Sequence, residues 1–203
     1  MTVTAVEPRR KSMSALYIDG EFVCKLDTQT LLENRISAGT ELDDEDLQEL
    51  MEKSDLRRAK EKALWLISYR DHSAKELFEK LTRDFSEKAA EKAIERMNEL
   101  GLIDDERFAQ KFADELHAKH QSPSTIRYKL IQKGIDRDAA ENIVENLQID
   151  PKEEIRALIE KKYLRAIADE KGLRRTVAAL QRAGFRWSDI KSVLNDFTEE
   201  SFD

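Results

Sequence analysis

The 203-residue chain carries 35 basic and 42 acidic residues, a net charge of −7, with 38% charged and 40% hydrophobic residues but only 6 Gly and 3 Pro. This composition supports a folded core of one or two domains and favours helices rich in Ala, Leu, Glu, Lys and Arg over a strand-and-turn sandwich. It excludes a membrane-spanning helix, because no stretch approaches the ~20 consecutive apolar residues that one needs. Met1 to Ser14 hold no apolar run of the kind a secretory signal requires, and the lone Cys24 cannot form an internal disulfide, so a reducing cytoplasm is the expected setting.

Residues 1–14 are polar, include the basic cluster Arg9, Arg10 and Lys11, and show no period, which predicts a disordered leader. Residues 15–59 read as an N-terminal module that ends in the start of a long linking helix. Within it, Leu16 to Ile18 and Phe22 to Cys24 are short β-prone runs on either side of Asp19-Gly20, a dipeptide suited to a type I′ hairpin turn. Thr28 can cap a short helix carrying Leu31, Leu32 and Ile36. Acidic residues Asp43 to Asp46 suit the N-terminus of a longer helix. Its expected buried stripe is Leu47, Leu50, Met51, Ala63, Leu64 and Ile67, with Trp65 bordering the core.

The remainder repeats itself. Phe85, Ile135 and Phe185 stand 50 residues apart, as do Ile94, Val144 and Leu194, and Leu130 and Leu180 keep the interval while Leu81 is displaced by one position. Ser73, Ser122 and Gly172 each precede Leu77, Ile126 and Thr176 by four residues. The helical spacing of Phe108, Phe112, Ala113 and Leu116 in the second unit, and of Ile155, Leu158, Ile159 and Tyr163 in the third, predicts apolar helix faces. Three units follow, at 60–103, 104–149 and 150–198, with a tail at 199–203.

Capping signals divide each unit into three helices. Ser73 to Glu76 and Asp150 to Glu153 fit capping boxes, and Pro151 and Pro123 suit first helical positions. Gly134 and Gly184 sit where helices end in a left-handed residue, with Asp84 in that place in the first unit. Ser86 and Asp136 can cap the third helices. The predicted fold is mainly all-α: three tandem three-helix repeats in an elongated curved array, preceded by a small N-terminal module with a β-hairpin. The expected repeat core is Leu77, Leu81, Phe85, Ile94, Phe108, Phe112, Ile126, Leu130, Ile135, Val144, Leu180, Phe185 and Leu194.

Catalysis finds little support. The three histidines are His72, His117 and His120; the last two share a helix face, but no H-E-x-x-H and no cysteine pair completes a metal site. Single scattered glycines form no phosphate-cradling loop, and carboxylates such as Glu87, Glu91 and Glu95 alternate with Lys88, Lys92 and Arg96 as on a solvated helix face. The expectation is no enzyme, no cofactor and no metal.

The stretch Ala63 to Leu77 (Ala-Leu-Trp-Leu-Ile-Ser-Tyr-Arg-Asp-His-Ser-Ala-Lys-Glu-Leu), with Lys80 and Leu81, resembles the opening repeat of the bacterial RecX regulators. Ile103 to Ala109 (Ile-Asp-Asp-Glu-Arg-Phe-Ala) is similar to that family's second signature, and Leu130 to Ile135 (Leu-Ile-Gln-Lys-Gly-Ile) to its third. The hairpin Tyr17 to Phe22 and the helix after it are similar to the N-terminal module of longer members. Ser122-Pro123-Ser124 departs from the glycine that members often carry before the second unit's middle helix. The resemblance implies a non-enzymatic modulator that lodges in the groove of the RecA–DNA filament and restrains strand exchange, ATP hydrolysis and coprotease activity. Linked weak contacts with successive protomers would raise its effective concentration.

Charge separates the candidate contacts. Residues 1–62 carry a net −4, 63–103 a net −1 and 104–150 a net −3, whereas 151–203 carry +1, and Lys161 to Lys191 hold 9 basic against 3 acidic residues. Lys161, Lys162, Arg165, Arg174, Arg175, Arg182 and Arg186, with Trp187 beside them, are therefore the candidate filament or phosphate contacts. A solvated basic face is the alternative reading of this cluster, and a packed indole that of Trp187. The acidic turn Asp104-Asp105-Glu106 suits a helix N-terminus and, alternatively, a basic patch on the filament. The acidic remainder predicts that protein contacts dominate, that DNA contact is secondary and made through the filament, and that the chain is a monomer. The competing expectation is a helical-repeat protein acting on bare DNA.

Overall fold

The computed structural model describes residues 1–199, with side chains to Phe197. The chain divides into two compact units, the first ending at Asp104 and the second beginning at Asp105.

The first unit opens with an antiparallel sheet of β1 (Val3–Pro8), β2 (Met13–Ile18) and β3 (Glu21–Asp27), in that order. The leader expected over 1–14 is thus corrected: it contains β1 and the start of β2. Val3 anchors β1 in a core with Leu16, Ile18, Leu26, Leu31, Leu42 and Leu50. The outer edge of β1 is closed by a returning segment, with the Val3 N–H donating to the Thr40 carbonyl (2.8 Å) and the Gly39 N–H to the Val3 carbonyl (2.8 Å). The β2–β3 turn has Asp19 and Gly20 at φ +50° and +88°, the conformations a type I′ turn requires.

Helix α1 (Thr28–Glu33) is capped by Asp27, one residue before the expected Thr28: Asp27 Oδ1 accepts from the Thr30 N–H at 2.9 Å. Thr28 instead pairs its hydroxyl with Ser14 (2.8 Å). Helix α2 (Asp44–Tyr69) begins with a full capping box between Asp43 and Asp46. Its buried residues are Leu50, Ser54, Ala59 and Ala63, whereas Met51, Leu64 and Trp65 are exposed, which corrects the expected stripe. The reason is close helix packing. Ala59 and Ala63 join Ala89, Ala90 and Ala93 of α4 (Glu87–Glu99) in one core, and Leu64 and Trp65 lie one and two positions past Ala63, each step turning ~100° around the helix. Between them, α3 (Ala74–Leu81) contributes Leu77 and Leu81.

The second unit holds α5 (Asp105–His117), α6 (Pro123–Gln132) and α7 (Arg137–Asn146), then α8 (Pro151–Leu158), α9 (Glu170–Arg182) and α10 (Trp187–Glu199). Between α8 and α9 the chain widens into a π turn, Ile159–Tyr163, and tightens into a 3₁₀ turn, Ala166–Ala168. One core gathers Phe108, Ile126, Leu130, Ile135 and Val144, with Phe112 packed against it; another gathers Ile155, Ile159, Leu180 and Phe185, with Leu194 against it. Phe85 and Ile94 take the half-buried place in the first unit.

The corner after each middle helix explains the displaced Leu81. The Ile135 N–H reaches back five residues to the Leu130 carbonyl (3.2 Å), and Phe185 does the same to Leu180 (3.1 Å), each across a left-handed glycine at φ +88°. In the first unit Phe85 reaches back only four, to Leu81 (3.0 Å), and Asp84 keeps a negative φ, which corrects its expected left-handed role. The missing residue is the left-handed one.

One further cap differs from expectation. Asp150 accepts from the Lys152 N–H rather than that of Glu153. Gly172 lies inside α9, which Asp169 caps, and a Cβ there would stand 2.0 Å from the Ala166 carbonyl oxygen. Glycine is required at that position by close approach. Of the tail expected over 199–203, residues 200–203 lie outside the described residues.

Candidate interaction surface

All seven basic residues singled out in the sequence are exposed. Arg174, Arg175 and Arg182 lie on α9, whose inward face carries the buried Thr176 and Leu180. Lys171, absent from the residues named on charge alone, stands three, four and eleven positions before them and completes the outward face; its helical spacing is the sequence signal for it. Arg174 is held by Glu170 (2.5 Å), and Arg182 turns its Nε–H back to the Ala178 carbonyl (3.1 Å).

Lys161 and Lys162 occupy the π turn, Arg165 precedes the 3₁₀ turn and Arg186 leads into α10. The contact of Gly172 with Ala166 closes this connection onto the start of α9. Trp187 is 52% exposed, so the packed indole weighed from the sequence is only half realised.

The remaining polar clusters are accounted for locally. His117 Nε2 and His120 Nδ1 both donate to Glu154, at 3.0 and 2.6 Å, and so pin the start of α8 to the end of α5. Among the described residues, no three His, Cys, Asp or Glu side chains gather to hold a metal ion. In the first unit, Glu76 takes two bonds from Arg70 (3.1 and 2.7 Å) and one from His72 (3.1 Å). Burial pushes the His72 imidazole below its ordinary value, against the opposing pull of Glu76.

No helix among the described residues is long and apolar enough to cross a membrane. The fold and this outward cationic face define a helical-repeat protein whose candidate site is an exposed surface. Two family models match it: the first three-helix domain of RecX over residues 59–97 and the second over residues 104–142. The chain belongs to the RecX family of regulatory proteins. It is 27% identical to the regulatory protein RecX of Clostridium tetani over 201 residues, covering 96% of this chain and 93% of that protein. Among solved structures, a crystal structure of a regulatory protein RecX aligns with TM-score 0.60 at 21% identity over 96% of this chain and 98% of the other, which shows the fold. The RecX of Lactobacillus salivarius aligns with TM-score 0.55 at 26% identity over 70% and 96%.

Proposed function

We propose that this chain is a non-enzymatic regulator that binds the RecA–DNA filament and restrains strand exchange, ATP hydrolysis and coprotease activity in the cytoplasm. Membership of the RecX family carries the reading. Each helical triplet offers a separate contact to the filament, and linked contacts need not be strong singly. Protein contacts dominate because most of the chain is acidic, and the outward face of α9 adds phosphate contacts. The regulator acts as a monomer and needs no cofactor.

The test is a titration of the protein into RecA assembled on single-stranded DNA, with ATP turnover as the readout. Turnover falls as the protein saturates the filament; unaltered turnover at saturation removes the mechanism. The exposed Lys171, Arg174, Arg175 and Arg182 favour a second reading, binding to bare DNA. Anisotropy of a labelled oligonucleotide at physiological salt separates the two, since tight binding without RecA is expected only of the second.

A further inference from the structure

Between the 3₁₀ turn and α10, the third helical triplet leaves an open apolar groove with a volume of about 430 Å³. Leu164, Ile167, Leu173, Trp187 and Leu194 line it, with Lys191 supplying the charge. Leu164 and Trp187 are each 52% exposed. Large side chains left half in water along one groove mark a contact site more often than an ordinary surface.

The surrounding charge selects the occupant. Arg165 follows Leu164 in sequence, Arg186 precedes Trp187, and among the described residues neither of them, nor Lys191, has an ion-pair partner. The nearby acids are largely committed: Asp169 accepts from the Gly172 N–H (2.9 Å), Glu170 holds Arg174 (2.5 Å) and Asp196 holds Arg156 (2.8 Å). Among the described residues, the Asp189 carboxylate, in the first turn of α10, accepts only from Ser188, at 3.4 Å. The groove thus has apolar walls with Lys191 in its lining, and Arg165 and Arg186 adjoin its lining residues in the chain. A nucleic acid would satisfy these cations and leave the walls uncovered, and a neutral apolar ligand would do the reverse.

We infer that this groove is a docking site for a short acidic protein segment that inserts one or two large apolar side chains between Leu164 and Trp187 while its carboxylates meet Lys191, Arg165 and Arg186. The volume suits one aromatic and one aliphatic side chain better than a folded domain, and the open side lets a chain cross it. The inference stands apart from the filament reading, since it specifies the chemistry of the bound segment and is tested without RecA.

The probe is a fluorescein-labelled decapeptide, Glu-Asp-Glu-Phe-Asp-Glu-Ile-Glu-Asp-Glu, titrated with the full chain at physiological salt. Trp65→Phe makes Trp187 the sole indole, so its emission reports the groove directly. Saturable binding with a blue shift of Trp187 emission is expected. Lys191→Glu and Leu164→Ala, both at exposed positions and checked for native helicity, each weaken binding by about tenfold, as does replacing Phe and Ile of the peptide by Ser. Equal binding of the Ser peptide would make the attraction purely electrostatic and overturn the inference. So would absence of binding to the wild-type groove, or a thymidine oligonucleotide that displaces the peptide and shifts Trp187 equally.

Discussion

Thr125 donates its hydroxyl hydrogen to the carbonyl oxygen of Ala183 at 2.9 Å, joining the start of α6 to the end of α9 across 58 positions of sequence. Ser124 does the same for Gly184 at 3.0 Å, so two carbonyls at the end of α9 are satisfied from the second triplet. A side chain on Gly184 would meet Thr125 Oγ1 at 2.1 Å and Ser122 Oγ at 2.5 Å. Thr125→Val should cost about 1 kcal/mol for the lost bond. Gly184→Ala should cost more, about 2–3 kcal/mol, because it adds backbone strain at φ +88° to the displacement of these hydroxyls. Urea unfolding followed by Trp187 emission in a Trp65→Phe background checks both, and equal effects would contradict the steric argument.

Reversing charge at Arg174, Arg175 and Arg182 should weaken filament binding and flatten its dependence on salt. The slope of log binding constant against log salt should fall by about one for each phosphate contact removed. Binding measured from 50 to 300 mM salt, on the order of the range where counterion release dominates, supplies the slope. An unchanged slope would leave the α9 face as a solvated surface.

The pH dependence of the first unit should carry the mark of His72. Burial holds this imidazole below its ordinary value, so the folded state favours the neutral ring while the unfolded chain takes up a proton near pH ~6.5. Its contribution is complete above that pH and is lost as the pH falls below it. Thermal unfolding followed by Trp65 in a Trp187→Phe background should show stability dropping from pH 7.5 to 5.5, with a smaller drop in His72→Gln. An equal drop in both proteins would locate the proton uptake elsewhere.

Cys24 should be a slow thiol. Its half-buried position on β3 pushes the thiol above its ordinary value, which leaves little thiolate at neutral pH. Reaction with an aromatic disulfide reagent should be slow at pH 7 and should accelerate steeply toward pH 9. Adding denaturant at pH 7 should restore the rate of a free cysteine.

The helices were legible because their signals are local. Ser73, Ser86, Ser122 and Asp136 cap the helices that follow them, and a 50-residue interval aligns Leu130 with Leu180. Strand β1 was not legible, since Val3 becomes a strand residue only by pairing with Ile18 and accepting the returning Gly39. The turn before β2 also hides its signal, because Lys11 and Ser12 take positive φ without a glycine. The π turn at Ile159–Tyr163 escaped for another reason: Ile155, Leu158 and Ile159 fit an ordinary helical period up to the place where the backbone widens. For the candidate surface, Arg175 and Arg182 were visible as charge. The apolar groove was not, because Leu164 and Trp187 are separated by a whole helix and meet only through the fold.

The segment that closes the outer edge of β1 has a consequence for synthesis. Val3 finds one neighbour at Ile18 but its other at Thr40, and the Leu42 N–H reaches the Met1 carbonyl (3.0 Å). During synthesis β1 therefore has a bare flank that stays unsealed until the Gly39–Thr40 segment, almost forty residues further on, has followed it out, roughly two to eight seconds later at bacterial elongation rates. During that interval the open flank is a template for pairing with a strand of a neighbouring copy.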